Sequence, residues 1–312
     1  MDMAGTAEKK PPLVAIVGPT ASGKSAAAIG LAARFRGEIV SADSRQVYRG
    51  MDIGTGKVLP EERAGIPHHL LDIASPQQTV TLAEYQEQAF ATIERIRERE
   101  SLPFLVGGMG LYVDAVVENL RIPAVAPQPG LREELGRLTV DRLVARLEAV
   151  DPESLTTIDR KNPRRLIRAI EVSEIAGEPF SKLRSTGPRR YDVLLIGIAQ
   201  PPDRLAGRIA DRLAARLRQG LVEEVRRLQA EGVDWERLEA FGLEYRRIAE
   251  HLQGKADYDT AVARLEHDII AYAKRQLTWF KRNERIQWME DAQDAGRLVS
   301  QWLAARTPRQ LA

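Results

Sequence analysis

The chain has 312 residues, of which 44% are hydrophobic and 29% charged, so it can bury the core of one large domain or two modest ones. It contains no cysteine, which excludes disulfides and thiolate metal sites, and its four histidines lack the H-x-x-x-H spacing of a zinc site. The net charge is +2, no apolar stretch is long enough to cross a bilayer, and the polar first twelve residues lack the apolar segment of a signal peptide, so we expect a cytoplasmic protein.

The first predicted elements flank a phosphate-binding loop. Residues 13–17 form a continuous apolar run typical of a strand buried on both faces, and residues 25–35 are rich in alanine, which favours a helix. Between them the sequence fits G-x-x-x-x-G-K-S, in which backbone N–H groups and a lysine surround a phosphate and the serine hydroxyl can ligate Mg²⁺. The loop consists of Gly18, Pro19, Thr20, Ala21, Ser22, Gly23, Lys24 and Ser25. The pattern predicts phosphate binding, with Mg²⁺ at Ser25, but does not identify the phosphate.

A second predicted strand, residues 38–41, ends just before Asp43. Open parallel sheets bind ligands at the carboxyl ends of their strands, so a carboxylate here can accept a proton from an attacking nucleophile. Asp43 can equally cap a following helix. Ser44 and Gln46 offer hydrogen-bonding side chains close by. Asp43 is therefore a candidate general base, although its position alone does not define the reaction.

A helix and a third strand follow. Thr81 and Glu84 form a T-x-x-E capping box that predicts the start of the helix. The third strand ends in VGGMGLY, whose three glycines let the backbone approach a ligand closely. No acidic residue ends this strand, although P-loop nucleotide hydrolases commonly hold Mg²⁺ there. The β-α-β-α-β order predicts an α/β fold with a parallel sheet, and the missing acid disfavours a motor protein or a GTPase.

The composition changes at a proline-rich segment, residues 121–130, which we interpret as a hinge. Residues 131–185 are helical in pattern and strongly charged, and residues 191–199 return to a buried-strand pattern. We therefore predict a P-loop-type α/β core of residues 1–121 and 189–312 that carries a helical insertion domain of residues 122–188.

After the insertion, the core is predicted to continue as helices. Asp203 is a candidate helix cap, a leucine-rich stripe at four-residue spacing follows it, and Gly220 is a candidate break. A row of arginines runs beside the stripe: Arg204, Arg208, Arg212 and Arg216. We expect three of them on a solvated face and one at the phosphates. A last long helix is predicted over residues 257–283.

Two basic clusters stand out on a chain of low net charge. The first consists of Arg160, Lys161, Arg164, Arg165 and Arg168, and the second of Lys274, Arg275, Lys281, Arg282 and Arg285. In the second cluster Trp279 and Phe280 lie among the cations, an arrangement that suits nucleic acid through stacking and phosphate pairing. Ordinary helix packing with solvated cations explains the same pattern equally well.

Taken together, the motifs resemble one family. GPTASGKS, SADSRQVYRGMDIGTGK, PHHLLDI, NPRRLIRAIEV, GLVEEV and KRQLTWF occur in this order over nearly the whole chain. In this combination the sequence closely resembles the bacterial tRNA dimethylallyltransferases, or isopentenyl-tRNA transferases. The resemblance implies transfer of a dimethylallyl group from dimethylallyl diphosphate to N6 of the adenosine just 3′ of the anticodon, in tRNAs that read codons beginning with U. It also implies a P-loop-type core, an insertion that grips the anticodon stem-loop, and Mg²⁺ accompanying the diphosphate.

The resemblance assigns roles to individual residues. Lys24 and the rest of the loop would hold the diphosphate, Arg212 would bind the departing pyrophosphate, and Asp43 would accept the N6 proton. The positions implied for tRNA contact are Asp43, Ser44, Arg45, Gln46, Met109, Arg132, Arg164, Arg165, Leu166, Ile167, Arg168, Glu239, Ala240, Phe241, Gly242, Leu243, Glu244, Lys274, Arg275, Gln276, Leu277, Thr278, Trp279, Phe280 and Lys281. We expect the protein to act as a monomer.

Two positions depart from the family pattern. Met109 stands where the family usually has a threonine, whose hydroxyl would hydrogen-bond near the reacting diphosphate oxygen or the target nucleotide. A thioether cannot donate a hydrogen bond, and an unreplaced transition-state donor costs about 2 to 4 kcal/mol. Leu243 stands where many relatives have tyrosine. Met109 is kept as a candidate catalytic position on this basis.

Two other functions compete with prenyl transfer. A P-loop small-molecule or nucleoside kinase that binds ATP explains the loop and Asp43, but it explains neither the two basic clusters nor the insertion. An ATP-dependent RNA-binding or remodelling protein explains the basic clusters, but not a carboxylate at the edge of the sheet.

Overall fold

The computed structural model describes residues 10–290 and 292–306. The first nine residues, most of the stretch considered above for a signal peptide, lie outside the described residues. The chain divides into a core unit, which runs to Val117 and resumes at Arg190, and an insertion unit, Glu118–Arg189. None of the described helices combines the length and apolarity that a membrane span requires.

Eight strands and thirteen α-helices can be followed along the described chain. The strands are β1 (Pro12–Val17), β2 (Gly37–Ser41), β3 (His68–His69), β4 (Leu102–Gly107), β5 (Leu120–Arg121), β6 (Ser185–Thr186), β7 (Asp192–Ile198) and β8 (Gln287–Met289). The helices are α1 (Lys24–Arg34), α2 (Leu82–Glu98), α3 (Gly110–Val117), α4 (Pro129–Gly136), α5 (Val140–Val150), α6 (Pro163–Ala176), α7 (Phe180–Leu183), α8 (Pro202–Arg218), α9 (Leu221–Ala230), α10 (Trp235–Phe241), α11 (Leu243–Leu252), α12 (Tyr258–Phe280) and α13 (Ala292–Arg306).

The core unit is built on a parallel sheet in the order β3-β2-β4-β1-β7-β8. Strand β1 lies inside the sheet, and residues 13–17 have no exposed surface because helices cover both faces. Apolar side chains of α1 and α13 pack on one face, and those of α2 and α3 pack on the other. The predicted α/β fold with a parallel sheet is therefore confirmed.

A third hydrophobic cluster joins helices α8 to α12. Leu205, Ile209 and Leu213 form the buried stripe of α8, as the four-residue spacing predicts. Gly220, at φ 99°, separates α8 from α9, because a left-handed backbone at this point ends the first helix. The capping box of α2 is also present, since the Thr81 hydroxyl accepts from the Glu84 backbone and the Glu84 carboxylate accepts from the Thr81 N–H.

Two predictions for the helices are wrong. Helix α8 begins at Pro202 after Pro201, and Asp203 lies in its first turn instead of capping it. Proline suits this start because its fixed φ matches the helix and its missing N–H would have no partner there. The helix at residues 257–283 is not the last, because β8 and α13 follow it. Ala295 and Val299 of α13 pack against the same cluster as α1.

The insertion unit is helical, with a short antiparallel ribbon of β5 and β6. Its own hydrophobic core is formed by Leu135, Leu143, Leu147 and Leu166 together with neighbouring apolar residues. Because this core is contained within residues 118–189, the unit has the packing of an independent helical domain.

Candidate active site

Three strand ends of the core unit meet at one cavity of about 200 Å³. The P-loop follows β1, Asp43 follows β2, and residues 107–109 follow β4, so parallel strands bring these segments to the same edge of the sheet. Side chains of α8, α11 and α12 form the opposite wall. The three glycine-rich or acidic motifs of the sequence therefore lie around one site.

The P-loop requires glycine at its first position. Gly18 adopts φ 153°, and a Cβ atom there would lie 2.2 Å from the carbonyl oxygen of Ile198, so only glycine fits. The Lys24 ammonium donates to the carbonyl of Pro19 at 3.1 Å. Within the described part of the chain, the buried Ser22 hydroxyl has no hydrogen-bond partner. Of the loop, Thr20, Lys24 and Ser25 line the cavity.

Gln276 of α12 ties the P-loop to the loop after β4. Its amide oxygen accepts from the Thr20 backbone N–H at 2.9 Å, and its amide nitrogen donates to the Gly108 carbonyl at 2.8 Å. The side chain is 6% exposed. The sequence placed Gln276 only in a candidate RNA-contacting run, and the structure adds that it holds two loops of the cavity together. Its contact with RNA stays a prediction.

Two arginines of the α8 row, and not one, line the cavity: Arg212 and Arg216. A third, Arg208, donates to the Ala21 carbonyl of the P-loop at 2.8 Å, and Arg204 bonds to Gln200 on the exposed side. The expectation that a single arginine of the row faces the site is therefore wrong, because residues at four-residue spacing share one face of a helix.

The cations of the site are crowded. Burial and the nearby Arg212 lower the pKa of Lys24 to about 8, despite the opposing effect of Asp43. Enclosure by the protein, together with Arg216, lowers the pKa of Arg212 to about 10. Arg216 is paired with Glu244 at 2.9 Å. Lowered pKa values on neighbouring cations mean that the protein surroundings disfavour positive charge at Lys24 and Arg212, which a bound polyanion would stabilise.

Asp43 caps a turn, and not a helix as the alternative interpretation of the sequence expected. Its Oδ1 accepts from the backbone N–H groups of Arg45 at 2.9 Å and Gln46 at 3.4 Å, so it caps the turn that follows. Its Oδ2 accepts no hydrogen bond from the residues that the structure describes, and the side chain lines the cavity. One oxygen therefore fixes the carboxylate while the other is available to a ligand.

The segments implied for tRNA contact in the core unit differ in exposure. In α12 the side chains of Lys274, Arg275 and Thr278 are exposed, as is that of Lys281 just after it, but Phe280 is 2% exposed and packs in the core. Trp279 donates to Asp114 at 2.9 Å and packs over Gly110. Stacking of nucleobases on Phe280 is thus corrected to core packing, whereas the cations lie at the surface.

Two residues of the run 239–244, Leu243 and Glu244, line the cavity, and Glu244 is paired with Arg216. Phe241 is buried in the core, which corrects its expected side-chain contact with RNA. The expected contact of Leu243 and Glu244 with the target nucleotide stays a prediction.

The predicted RNA-contacting residues of the insertion unit fall into two groups, those held in internal contacts and those exposed at the surface. Arg132 and Arg168 both bond to Glu171, whose side chain is fully buried. Burial raises the pKa of Glu171, but hydrogen bonds led by Arg132 outweigh it and lower the pKa to about 2. Leu166 has no exposed surface, so its side chain is corrected to a core position. Arg164 and Arg165 are exposed.

The fold and the cavity define a class of protein: an α/β protein with a P-loop-type core, in which Lys24, Arg212 and Arg216 line one cavity at the edge of the sheet. A family model described as IPP transferase matches residues 46–283. The chain is 46% identical over 303 residues to the tRNA dimethylallyltransferase of Roseiflexus sp. (strain RS-1), covering 94% of this chain and 99% of the relative. The chain belongs to the IPP transferase family, which confirms the resemblance drawn from the motifs.

Further comparisons agree. The tRNA dimethylallyltransferase of Bacillus velezensis is 40% identical over 289 residues, covering 90% of this chain and 91% of the relative. The tRNA isopentenylpyrophosphate transferase of Bacillus halodurans superposes with a TM-score of 0.71 at 36% identity, covering 95% of this chain and 96% of that one. A eukaryotic dimethylallyltransferase acting on tRNA shares the fold, with a TM-score of 0.77, at 23% identity over 96% of this chain and 81% of its own.

Proposed function

We propose that the protein transfers a dimethylallyl group from dimethylallyl diphosphate to N6 of the adenosine just 3′ of the anticodon, in tRNAs that read codons beginning with U, and releases diphosphate. The observation that carries the proposal is that P-loop residues, Arg212, Arg216 and Asp43 line one cavity. The cavity thus combines groups that would bind a diphosphate leaving group with a carboxylate that would accept a proton from an attacking amine. We also infer that the protein acts as a monomer in the cytoplasm.

The donor side is served by positive groups. Lys24, Arg212 and the N–H groups of the P-loop would bind the diphosphate, and they stabilise it further as negative charge develops during departure. Dimethylallyl loses its bond to the diphosphate oxygen as its bond to N6 forms. In P-loop kinases the loop holds the phosphates of the nucleotide from which a phosphoryl group is transferred, whereas here it would hold the diphosphate that leaves.

The acceptor side depends on position. An adenine amine is a weak nucleophile because its lone pair is delocalised into the ring, so alignment with the donor carbon must supply much of the rate enhancement. The free Oδ2 of Asp43 would orient the amine and accept its proton. Extruding the adenosine from its stack costs a few kcal/mol, which contacts to the tRNA backbone must offset.

Mg²⁺ fits this site only together with the substrate. Among the described residues, no group of three or more histidine and acidic side chains is placed to hold a metal. Ser25 lines the cavity and offers one hydroxyl ligand. Magnesium commonly keeps few protein ligands and completes its shell with phosphate oxygens and water. Bound in this way, the ion would neutralise charge on the diphosphate.

One experiment separates prenyl transfer from the kinase and the ATP-dependent RNA-binding alternatives. Unmodified tRNA is incubated with labelled dimethylallyl diphosphate and, separately, with γ-labelled ATP, and the nucleosides are analysed after digestion. We expect label from the prenyl donor in adenosine and none from ATP in any product. The reverse result would end the transferase proposal.

Binding of inorganic diphosphate is expected to weaken as the pH rises through about 8. With a pKa of about 8 before the ligand binds, Lys24 is charged below that pH and neutral above it, whereas a bound anion keeps it protonated. Above pH 8, binding must therefore take up a proton, and the contribution of Lys24 to Kd worsens by up to ~10-fold per pH unit. Calorimetry in buffers of different ionisation enthalpy measures this uptake, which Lys24→Arg should remove. Equal uptake in both proteins contradicts the prediction.

Met109→Thr is expected to preserve or raise the rate of transfer. The Met109 carbonyl accepts from Tyr112 and Val113 at the start of α3, so this backbone role survives the substitution, and a threonine hydroxyl adds a hydrogen-bond donor at the cavity. Single-turnover rates with saturating donor and tRNA provide the measurement. A large loss of rate would instead show that the cavity is built around the thioether.

The two groups of arginines in the insertion should respond differently to alanine substitution. Arg164→Ala and Arg165→Ala should weaken tRNA binding and reduce its salt slope by about one per lost phosphate contact, without lowering Tm. Arg132→Ala should lower the free energy of unfolding by about 1–3 kcal/mol, because the buried Glu171 loses its bidentate partner. Filter binding at several salt concentrations and denaturant titration measure the two effects. If Arg132→Ala changed tRNA binding and stability in the same way as Arg164→Ala and Arg165→Ala, the division of these arginines into structural and RNA-contacting groups would be contradicted.

A further inference from the structure

Residues 54–56 of the turn 52–56 line the cavity, and a buried carboxylate from another part of the chain accepts three successive backbone N–H groups of this turn. Glu224 of α9 accepts the backbone N–H groups of Asp52 and Ile53, each at 2.8 Å, and of Gly54 at 3.0 Å. It also accepts the Tyr245 hydroxyl at 2.8 Å. These contacts join two motifs of the sequence, MDIGTGK and GLVEEV, that lie far apart in the chain.

No cation balances this carboxylate among the described residues. Glu224 is 5% exposed, and its hydrogen bonds come from three successive amides and a phenol that is itself buried. Burying a charge without an ion pair is costly unless every lone pair is satisfied. The neighbouring Glu223 shares the first turn of α9, where any acidic residue favours the helix dipole, but its side chain is 67% exposed. Helix stabilisation alone therefore does not require the buried position of Glu224.

The same turn sets the approach of two cavity arginines. Arg216 donates to the Gly54 carbonyl at 3.4 Å. A Cβ atom on Gly56 would lie 2.0 Å from Nη2 of Arg216 and 3.0 Å from Nη2 of Arg212, so the backbone of the turn packs directly against both guanidinium groups. A displacement of the turn would consequently change the backbone contacts that position the two guanidinium groups.

We propose that Glu224 is a positioning residue for the diphosphate subsite: it fixes the turn of residues 52–56 and, through that turn, the placement of Arg212 and Arg216. The inference rests on the proposed function. It assigns Glu224 no contact with substrate. Its role is to keep the leaving-group cations aligned with the donor, and misplacement of about 1 Å at such a site costs about 100-fold in rate.

Steady-state kinetics of Glu224→Ala, with Glu223→Ala as the matched control, test the proposal. We expect kcat/KM for dimethylallyl diphosphate to fall by about 100-fold in Glu224→Ala and to stay within about twofold in Glu223→Ala. The Kd for tRNA without donor should be unchanged in both. Acetate added to Glu224→Ala should occupy the vacated space, accept the three amides, and restore at least about tenfold of the loss, whereas chloride at equal ionic strength should not.

Further measurements make each outcome decisive. The proposal would be overturned if Glu224→Ala kept the wild-type kcat/KM. It would also be overturned if the loss of kcat/KM matched the fraction of unfolded protein and acetate did not reverse it. If Glu224→Ala does not fold, Glu224→Gln and Tyr245→Phe replace it, and both should show smaller losses confined to the donor. Calorimetry with inorganic diphosphate provides a measurement that does not depend on prenyl transfer. We expect the affinity of Glu224→Ala for diphosphate to be about tenfold lower than that of the wild-type protein. If the wild-type protein bound diphosphate but transferred no prenyl group, the proposed function would be refuted. The diphosphate affinities of the wild-type and Glu224→Ala proteins would then still test the role of Glu224.

Discussion

Asp43→Asn is expected to lower kcat for prenyl transfer by about 10²- to 10⁴-fold, the range that general-base groups contribute, while tRNA still binds. The asparagine amide oxygen can keep the two backbone hydrogen bonds that Oδ1 now accepts from Arg45 and Gln46, so the turn survives. Only the charge and basicity of the group at Oδ2 are lost. Single-turnover chemistry and filter binding of tRNA measure the two properties separately.

Asp43→Ala provides the complementary variant. It should abolish transfer and also loosen the turn, because the capping carboxylate is removed. A loss of rate shared by both variants assigns the effect to the base, whereas a loss confined to Asp43→Ala assigns it to the turn. Normal turnover in Asp43→Asn would remove Asp43 as the proton acceptor.

Arg212→Ala is expected to lower kcat/KM for dimethylallyl diphosphate by about 10²- to 10³-fold, the cost of one donor aimed at developing charge. Arg212 lines the cavity and lies close enough to Lys24 to lower its pKa, so both act on the same ligand. Its pKa of about 10 keeps it charged at neutral pH. The Kd for tRNA should not change.

Arg204→Ala is the matched control, since it removes the same side chain from the same helix on the exposed side. Its kinetics should equal those of the unsubstituted protein within about twofold. Equal losses in the two variants would mean that the helix contributes general charge and that Arg212 has no specific role at the leaving group.

The sequence predicts the centre of this site well. Buried parallel strands must end at one edge of the sheet, so the P-loop, Asp43 and the glycines after β4 could be brought together from their order alone. The capping box of α2 and the break at Gly220 are local signals that depend on few neighbours. Family membership, the α/β fold and the class of reaction follow from motifs of this kind.

Other features depend on packing that no local pattern encodes. The number of arginines facing the cavity depends on the rotation of α8, which the buried Leu205, Ile209 and Leu213 set. Gln276 and Phe280 stand in a strongly basic run, yet one is buried in a hydrogen-bonded bridge and the other in the core. Strand β8 has only three residues, too few for a period to be recognised.

Gln276 has a thermodynamic consequence. Helix α12 holds the P-loop through this buried amide and presents Lys274 and Arg275 on its outer surface. If a polyanion binds Lys274 and Arg275 and thereby shifts the helix, the free energy with which the P-loop binds its own ligand must change. Linkage is reciprocal, so prenyl donor and tRNA would then alter each other's affinity by the same factor. If tRNA binding shifts α12, the two substrates are expected to bind as a coupled pair, and Gln276 is one contact through which the helix reaches the P-loop.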